Sequence, residues 1–407
     1  MTTPSASVPP GPTATAATPL RDSAVVPPSG AWMPGDPVGD RRFLTLDRGF
    51  ALQGGGVLDE VTVAYETWGS LDATASNAVL VCHALTGDSH AAGRMGHGHP
   101  TTGWWKNIVG PGLAIDTDRW FVVCANVLGG CQGTTGPASI DPATGRPYGA
   151  RFPAVSIRDT VRTQAALADH LGVERWLSVV GGSMGGMQAL EWAITYPDRL
   201  RSVAAMATAT AASPQQIAWS SVGRNAIRMD PKWREGDYYD AADGDGPTEG
   251  LRLAREIGVI HYRSEVEFAV RFGRAKSGAH DAFDLWSPFD VETYLEHHGW
   301  KLARRFDANS YLVLNRAMDL HDIGLGRGGI AFALERIRVP ALTMAIDSDI
   351  LYPDHLQHAL RDQLLAHGVP TRHVDVISDK GHDAFLVETQ QVGAPLAAFL
   401  ADVEKDT

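Results

Sequence analysis

A potential nucleophile lies in residues 181–185, which read Gly-Gly-Ser-Met-Gly and fit the pattern Gly-x-Ser-x-Gly. An apolar run at 176–180 precedes the motif, and a helix-like segment at 187–192 follows it. A serine on a sharp strand-to-helix turn is a nucleophile elbow, and the turn requires small residues two positions before and after the serine. Because the chain has 43 glycines, the motif alone could arise by chance, but the strand and helix around it favour Ser183 as a catalytic nucleophile.

A general base and an orienting acid must accompany this serine, because a neutral hydroxyl is a weak nucleophile. In sheets that carry a nucleophile elbow, the order along the chain is serine, then aspartate or glutamate, then histidine. Asp349 follows a predicted strand that ends at Ile346, and His382 follows one that ends at Ile377. Open sheets place their sites at the carboxyl ends of strands, so we predict His382 as the base and Asp349 as the acid. Asp347 is the alternative acid, because it lies closer to the strand.

Two backbone amides could stabilise the negative charge that develops on the acyl oxygen. One is the N–H of Met184, directly after the serine. The second is expected from the loop after the apolar strand 78–85, within residues 83–90, and we predict that it is the N–H of Leu85. The other interpretation of residues 83–90 is a Gly-containing polar turn with no catalytic role.

Composition and charge narrow the class of protein. The chain has 407 residues and a net charge of −12, which argues against nucleic-acid partners, since such binders concentrate Lys and Arg on one face. No run reaches the roughly 18 apolar residues of a membrane span, and no basic region followed by an apolar core opens the chain. Three cysteines without metal spacing indicate reduced thiols, so we expect a cytoplasmic protein without membrane contact. His97 and His99 lack a third ligand at plausible spacing, so we predict no metal site.

The pattern of apolar runs predicts one α/β domain with an insertion. Residues 1–41 are rich in Pro, Ala, Thr and Ser and are predicted to form a disordered tail. Strands and helices alternate over residues 42–210 and again over 330–407, which predicts a mostly parallel, twisted sheet flanked by helices. The last helix is expected over 384–403. Between the two parts, residues 211–329 form amphipathic segments broken by Gly, Asp and Pro, so we expect an inserted helical lid.

Four segments carry motifs that are longer than a triad signature. They are residues 83–90 (His-Ala-Leu-Thr-Gly-Asp-Ser-His), 126–137 (Asn-Val-Leu-Gly-Gly-Cys-Gln-Gly-Thr-Thr-Gly-Pro), 181–187 (Gly-Gly-Ser-Met-Gly-Gly-Met) and 381–386 (Gly-His-Asp-Ala-Phe-Leu). Together they resemble the homoserine O-acetyltransferases, a family of the α/β-hydrolase superfamily. The similarity runs from about Phe43 to the last helix. The resemblance also favours Asp349 over Asp347 as the orienting acid.

This resemblance implies a two-step acetyl transfer. Ser183 takes the acetyl group from acetyl-CoA, which is a co-substrate rather than a bound cofactor, and passes it to the side-chain hydroxyl of L-homoserine. The product, O-acetyl-L-homoserine, is a precursor of methionine. In the family an arginine of the lid and the aspartate after the catalytic histidine hold the amino acid, and these match Arg255 and Asp383. The resemblance further implies a homodimer formed through the lid.

The alternatives differ in donor, acceptor or class of protein. Related transferases use succinyl-CoA instead of acetyl-CoA, or serine instead of homoserine, and a short-chain esterase would use water. A non-enzymatic binding protein would normally lack a member of the triad, and none is missing here. Without the resemblance, Arg255 would be interpreted as a solvated helix residue, and Asp383 as a cap of the helix that begins near Ala384.

Overall fold

An eight-stranded sheet organises the protein. The computed structural model describes residues 26–46, 49–278 and 283–405. In chain order the strands are β1 (Arg42–Leu46), β2 (Val61–Trp68), β3 (Ala78–Cys82), β4 (Phe121–Ala125), β5 (Ser178–Gly182), β6 (Val203–Met206), β7 (Ala341–Ile346) and β8 (Thr371–Val376). Across the sheet the order is β1-β2-β4-β3-β5-β6-β7-β8. The pairs β1–β2 and β2–β4 are antiparallel and all other neighbours are parallel, which confirms the predicted mostly parallel sheet.

Helices flank this sheet and form the insertion. They are α1 (Ile157–Leu171), α2 (Met184–Thr195), α3 (Pro214–Met229), α4 (Thr248–Tyr262), α5 (Glu265–Phe272), α6 (Asp290–Ala303), α7 (Ala308–Asp319), α8 (Ile330–Leu334), α9 (Asp354–Ala366), α10 (Ala384–Val387) and α11 (Thr389–Lys405). Two-residue strands pair outside the main sheet: Phe50–Ala51 with Val57–Leu58, Val109–Gly110 with Ile115–Asp116, and Ile140–Asp141 with Arg146–Pro147. Within the described ranges, every helix is too short or too polar to cross a bilayer.

Continuous apolar runs explain the central strands. Every residue of β3, β4 and β5 is buried, because helices cover both faces of the sheet. One face packs against α1, α2 and α9, whose Val161, Leu190 and Leu360 join one apolar cluster. The other face packs against α11 through Val392 and Leu396. The carboxyl ends of the parallel strands are thereby held in fixed positions.

Local signals set the bounds of the helices. Ser156 accepts the amide of Asp159, whose side chain bonds back to Ser156, and this capping box begins α1. Gly172 ends α1 with a φ of 71°, a left-handed conformation that glycine adopts at low cost. The C-terminal helix is not continuous as predicted, because Glu388 (φ −82°, ψ 67°) separates α10 from α11. Its carboxylate accepts the hydroxyl of Ser378 at 2.7 Å, which holds the break against the loop after β8.

The insertion leaves and re-enters the core at one place. Ala212 N–H donates to the carbonyl of His321 at 2.9 Å, and Ile323 N–H donates to that of Thr210 at 3.0 Å. Between these ends the chain forms α3 to α7, and α4 packs against both α3 and α6. The helical insertion therefore lies between β6 and β7, and its two ends are joined by backbone hydrogen bonds.

Residues 26–41 correct the predicted extent of the disordered tail. Gly30 N–H donates to the carbonyl of Phe306 at 3.1 Å, and Trp32 N–H donates to that of Cys131 at 2.9 Å. A Cβ at Gly30 would lie 2.5 Å from the Phe306 nitrogen, so the segment is tightly packed. Because backbone groups make these contacts, the pattern of apolar residues in the sequence does not reveal them. The rest of the predicted tail lies outside the described residues.

A buried carboxylate ties α2 to the segment after the lid. Glu191 is 2% exposed, and it accepts hydrogen bonds from Arg158 and Thr195, each at 2.7 Å. Both of its oxygens also pair with Arg327. Burial alone would raise the pKa of Glu191, but the hydrogen bonds and charge of Arg327 lower it, so the carboxylate is ionised at neutral pH.

Glu191→Gln should lower the free energy of unfolding by about 3 kcal/mol, because it leaves two guanidinium groups without their counter-charge. Urea denaturation at neutral pH measures this change. The control is Asp402→Asn, which breaks the pair with Arg372 at 2.7 Å, where the side chains are 52% and 44% exposed. Such exposed pairs contribute less than about 1 kcal/mol. Equal losses in the two variants would contradict the assignment.

The same variant has a predictable pH dependence. The folded-state pKa of Glu191 is lowered, so its contribution is complete above the unfolded pKa and is lost as the pH falls through the folded pKa. The difference in stability between wild type and Glu191→Gln should therefore shrink in acid.

Candidate active site

Ser183 has the backbone of a nucleophile elbow. It joins β5 to α2 with φ 58° and ψ −126°, a region that non-glycine residues rarely adopt. A Cβ at Gly181 would overlap the backbone of Gly185, and a Cβ at Gly185 would overlap the carbonyl of Cys82 at the end of β3. Both positions therefore require glycine, and the strained turn leaves Ser183 at the end of its strand.

The base and the acid lie at the ends of neighbouring strands. His382 follows β8, and its Nδ1 lies 2.7 Å from Oδ2 of Asp349, which follows β7. The other oxygen of Asp349 accepts the amides of Leu351 and Tyr352, each at 2.8 Å. Asp347, the alternative acid, instead accepts the amide of Ser378 at 2.9 Å. The structure thus joins His382 to Asp349 and directs Asp347 elsewhere.

This pairing prepares His382 to act as a base. An ionised Asp349 makes Nδ1 the protonated nitrogen of His382, which leaves the Nε2 lone pair free to take a proton. Burial alone would lower the pKa of His382, but the charge and hydrogen bond of Asp349 raise it. Tyr352 and Phe385 enclose the ring, with ring centroids 5.2 Å and 5.5 Å away.

Phe385 packs beside both the nucleophile elbow and His382. The ring of Phe385 fills the space where a Cβ of Gly182 would lie, and the same ring contacts His382. Ser183 is 4% exposed, and its hydroxyl has no hydrogen-bond partner within the described part of the chain. Catalytic hydrogen bonds are often long until substrate binds, so a hydroxyl without a partner among the described residues is compatible with a nucleophile.

The two predicted oxyanion donors are buried amides with no acceptor. Leu85 is 6% exposed and Met184 is 1% exposed, and both pack in the same apolar cluster. Neither N–H has an acceptor among the residues that the structure describes. Met184 is the first residue of α2, where an amide has no partner within the helix. Both N–H groups are therefore available to a developing oxyanion.

His83 is a positioning residue that the sequence did not reveal. Its buried ring has Nδ1 2.8 Å from the carbonyl oxygen of Ala84, while Nε2 accepts the amide of Val127 at 3.1 Å. Gly87 N–H also donates to the Ala84 carbonyl, at 2.9 Å. That carbonyl shares a planar peptide with the N–H of Leu85, so the two groups point in opposite directions. Burial lowers the pKa of His83 and keeps this tautomer neutral.

Arg255 and Asp383 differ in their contacts. The Arg255 guanidinium lies 5.2 Å from the ring centroid of Tyr262, which is itself 6.0 Å from the ring of His382. No carboxylate of the described residues pairs with Arg255. Asp383 makes no capping bond to α10, and its carboxylate lies 3.2 Å from the guanidinium of Arg263. Within the described residues Arg255 is therefore a half-buried cation without a carboxylate partner, whereas the carboxylate of Asp383 is shared with Arg263.

A small cavity lies under the lid beside the oxyanion loop. Its volume is about 30 Å³, and its lining includes Leu85, Tyr262 and Tyr352. Two lining side chains, Trp219 and His261, have buried ring nitrogens without a partner among the described residues. Burial lowers the pKa of His261 to about 3, so its ring is neutral. The cavity can therefore take a small polar group, or about two water molecules.

Comparison with known families agrees with this geometry. The family model for the alpha/beta hydrolase fold matches residues 77–389. The homoserine O-acetyltransferase of Thermobifida fusca (strain YX) is 53% identical over 378 residues, which cover 92% of this chain and 98% of that protein. These similarities confirm the predicted resemblance and fold.

Solved structures with the same fold include an O-acetyltransferase and an esterase. Homoserine O-acetyltransferase from Bacillus anthracis superposes with a TM-score of 0.82 at 28% identity, covering 88% of this chain and 97% of that one. Esterase E22 superposes with a TM-score of 0.80 at 29% identity, covering 88% of this chain and 99% of that one. The fold is therefore shared by a protein named as an O-acetyltransferase and a protein named as an esterase.

The His83 arrangement predicts a specific loss of rate. His83→Leu removes the donor that fixes the Ala84 carbonyl, so acylation by a chromogenic acetyl ester should slow by about 10- to 100-fold, approaching the loss of one oxyanion donor. His83→Asn places an amide N–H near the former Nδ1 and should recover part of the rate. The effect should fall on kcat rather than KM, with thermal unfolding monitored in parallel. Equal rates in the Leu and Asn variants would contradict the positioning role.

Proposed function

The chain belongs to the homoserine O-acetyltransferases, a family with the α/β-hydrolase fold, and on that premise we propose that Ser183, His382 and Asp349 carry the acetyl transfer. The enzyme is an acyltransferase, and its donor and acceptor in this proposal are acetyl-CoA and L-homoserine. Two observations carry the proposed mechanism: the buried Asp349–His382 pair, and a serine held on a strained elbow.

In the first half-reaction, Ser183 Oγ attacks the thioester carbon of acetyl-CoA. His382 Nε2 takes the hydroxyl proton, and the amides of Leu85 and Met184 hold the negative charge on the carbonyl oxygen. When the intermediate collapses, the C–S bond breaks and the proton passes from His382 to the CoA sulfur. The products are acetyl-Ser183 and the CoA thiol.

In the second half-reaction, homoserine replaces CoA as the group that faces the acyl carbon. His382 takes the proton of the homoserine side-chain hydroxyl, and that oxygen attacks the acetyl carbonyl. The bond to Ser183 Oγ then breaks, and the proton returns from His382 to Ser183. The released product is O-acetyl-L-homoserine, a methionine precursor.

Two charged residues can orient the acceptor. A zwitterion needs a cation for its carboxylate and an anion for its ammonium, and a guanidinium can hold a carboxylate by two parallel hydrogen bonds. The guanidinium of Arg255, which pairs with no carboxylate in the described part of the chain, supports the first role. Asp383 is adjacent to His382 and supports the second role, although Arg263 already shares its carboxylate.

We propose a homodimer because the lid exposes apolar side chains, and a cytoplasmic location because the cysteines are free thiols. The lid exposes several apolar side chains, including Val270 at 78%, Leu285 at 82% and Trp286 at 84%, which supports a homodimer formed through the lid. All three cysteines are buried free thiols, which supports a reducing compartment such as the cytoplasm. No cofactor is required beyond the co-substrate acetyl-CoA.

The function is tested by crossing donors with acceptors. Purified protein is given acetyl-CoA or succinyl-CoA with L-homoserine, L-serine or water alone, and products are identified by mass. We expect O-acetyl-L-homoserine from the wild type. The Ser183→Ala variant should fold normally but release no CoA. Preference for succinyl-CoA or for serine would overturn the donor or acceptor. Ester cleavage that homoserine does not affect would favour an esterase.

Arg255→Ala separates the two half-reactions. Loss of a charge-assisted contact, worth about 1.5–3 kcal/mol, should lower kcat/KM for homoserine by about 10- to 100-fold. Formation of the acyl-enzyme from acetyl-CoA should be preserved. The matched control is Arg252→Ala on the same helix, because Arg252 already pairs with Glu249 at 2.9 Å. An equal loss of both half-reactions in Arg255→Ala would argue against its role with the carboxylate.

A further inference from the structure

We propose that His358, His373 and Asp375 form a zinc site at the outer edge of the sheet. His358 lies on α9, and the other two residues lie two positions apart on β8, the last strand of the sheet. The Nε2 atoms of His358 and His373 lie 2.7 Å and 3.2 Å from the same oxygen of Asp375, Oδ1. All three donor atoms lie within 4.8 Å of one another.

The ring geometry fits a shared metal ion. Two imidazoles that bind one tetrahedral Zn²⁺ through Nε2, with bonds of about 2.0–2.1 Å, have ring centroids roughly 5.2 Å apart and planes that are not parallel. The centroids of His358 and His373 are 5.0 Å apart, and the planes meet at 64°. Neighbouring ligand atoms of such an ion lie about 3.4 Å apart, so the carboxylate of Asp375 needs to move outward by only a fraction of an ångström.

Contacts behind the ligands also fit. Nδ1 of His373 lies 2.7 Å from the hydroxyl of Thr343, which can itself donate to the Arg372 carbonyl at 3.5 Å. In that arrangement Nδ1 carries the proton of the His373 ring, and its Nε2 presents a lone pair to the site, as metal-bound histidines do.

A second cluster of similar composition, formed by Asp40, Glu66, His90 and His99, does not have the geometry of a metal site. His90 and His99 stack face to face, with centroids 3.8 Å apart and planes at 11°. Parallel rings cannot direct their in-plane lone pairs at one point. Nε2 of His99 already accepts the amide of Asp40 at 2.9 Å, and Nδ1 of His90 is 2.8 Å from Glu66. This cluster is a hydrogen-bonded contact, and it involves His99, for which the sequence predicted no metal.

The proposed site has room for a fourth ligand and a structural role. Asp375 is 54% exposed and His358 is 33% exposed, so water can complete a tetrahedron. Asp362 lies one helical turn after His358 and can approach the same position. The ion would join α9, which follows the Asp349 loop, to β8, which precedes the His382 loop. It would therefore stabilise the edge of the sheet that carries the acid and the base.

Calorimetric titration of Zn²⁺ into the full-length protein, after removal of metals by a chelator, tests the site. We expect one ion per chain with a dissociation constant in the micromolar range or below, and a higher thermal midpoint with zinc. His358→Ala and Asp375→Asn should each weaken binding by at least tenfold and abolish the thermal shift. Mg²⁺ should not compete, because it prefers oxygen ligands.

His367→Ala is the matched control, because this histidine is exposed at the end of α9 and lies outside the cluster. It should bind zinc as the wild type does. A wild type without a saturable site, or His358→Ala and Asp375→Asn variants that bind zinc as tightly as the control, would overturn the proposal. The measurement contains no acyl transfer, so its failure would leave the proposed function unaffected.

Discussion

The close approach of β3, β5 and α2 is the constraint on which the active site depends. Gly185 lies against the carbonyl of Cys82, which places the first turn of α2 beside the loop that follows β3. The side-chain amide of Gln188 then donates to the carbonyls of both His83 and Met184, each at 3.1 Å. A strained φ at Ser183, which costs about 1–3 kcal/mol, persists because this packing over-determines it. One packing contact thus positions both Ser183 and the two amides proposed to stabilise the oxyanion.

Asp349, Glu191 and Arg255 differ in whether neighbouring groups neutralise their charge. Asp349 has His382 and two backbone amides, so it is satisfied without substrate. Glu191, on the far side of α2, is neutralised by arginines and stabilises the fold. Arg255 alone among these groups lacks a carboxylate within the described ranges, and a half-buried cation of this kind favours an anionic ligand.

Much of the fold and the Asp349–His382 pair could be predicted because their signals are local. The central strands are uniformly apolar, and the glycines of the elbow and the residues after β7 and β8 can be located from the sequence. The docking of residues 26–41 could not be predicted, because it uses backbone hydrogen bonds to distant residues such as Phe306. The contacts of His83 and of the His358–His373–Asp375 cluster could not be predicted either, because each depends on orientation or on contacts between a helix and a strand that no spacing encodes.

The paired ends of the insertion have a consequence for how this scaffold can change. Thr210 and Ala212 bond directly to Ile323 and His321, so the chain enters and leaves the lid through one narrow stem. A segment with such a stem can be exchanged as one cassette while the geometry between its attachment points is kept. In the proposed mechanism Arg255 of the lid orients the acceptor, so exchange of the lid would alter acceptor preference while the elbow stayed unchanged.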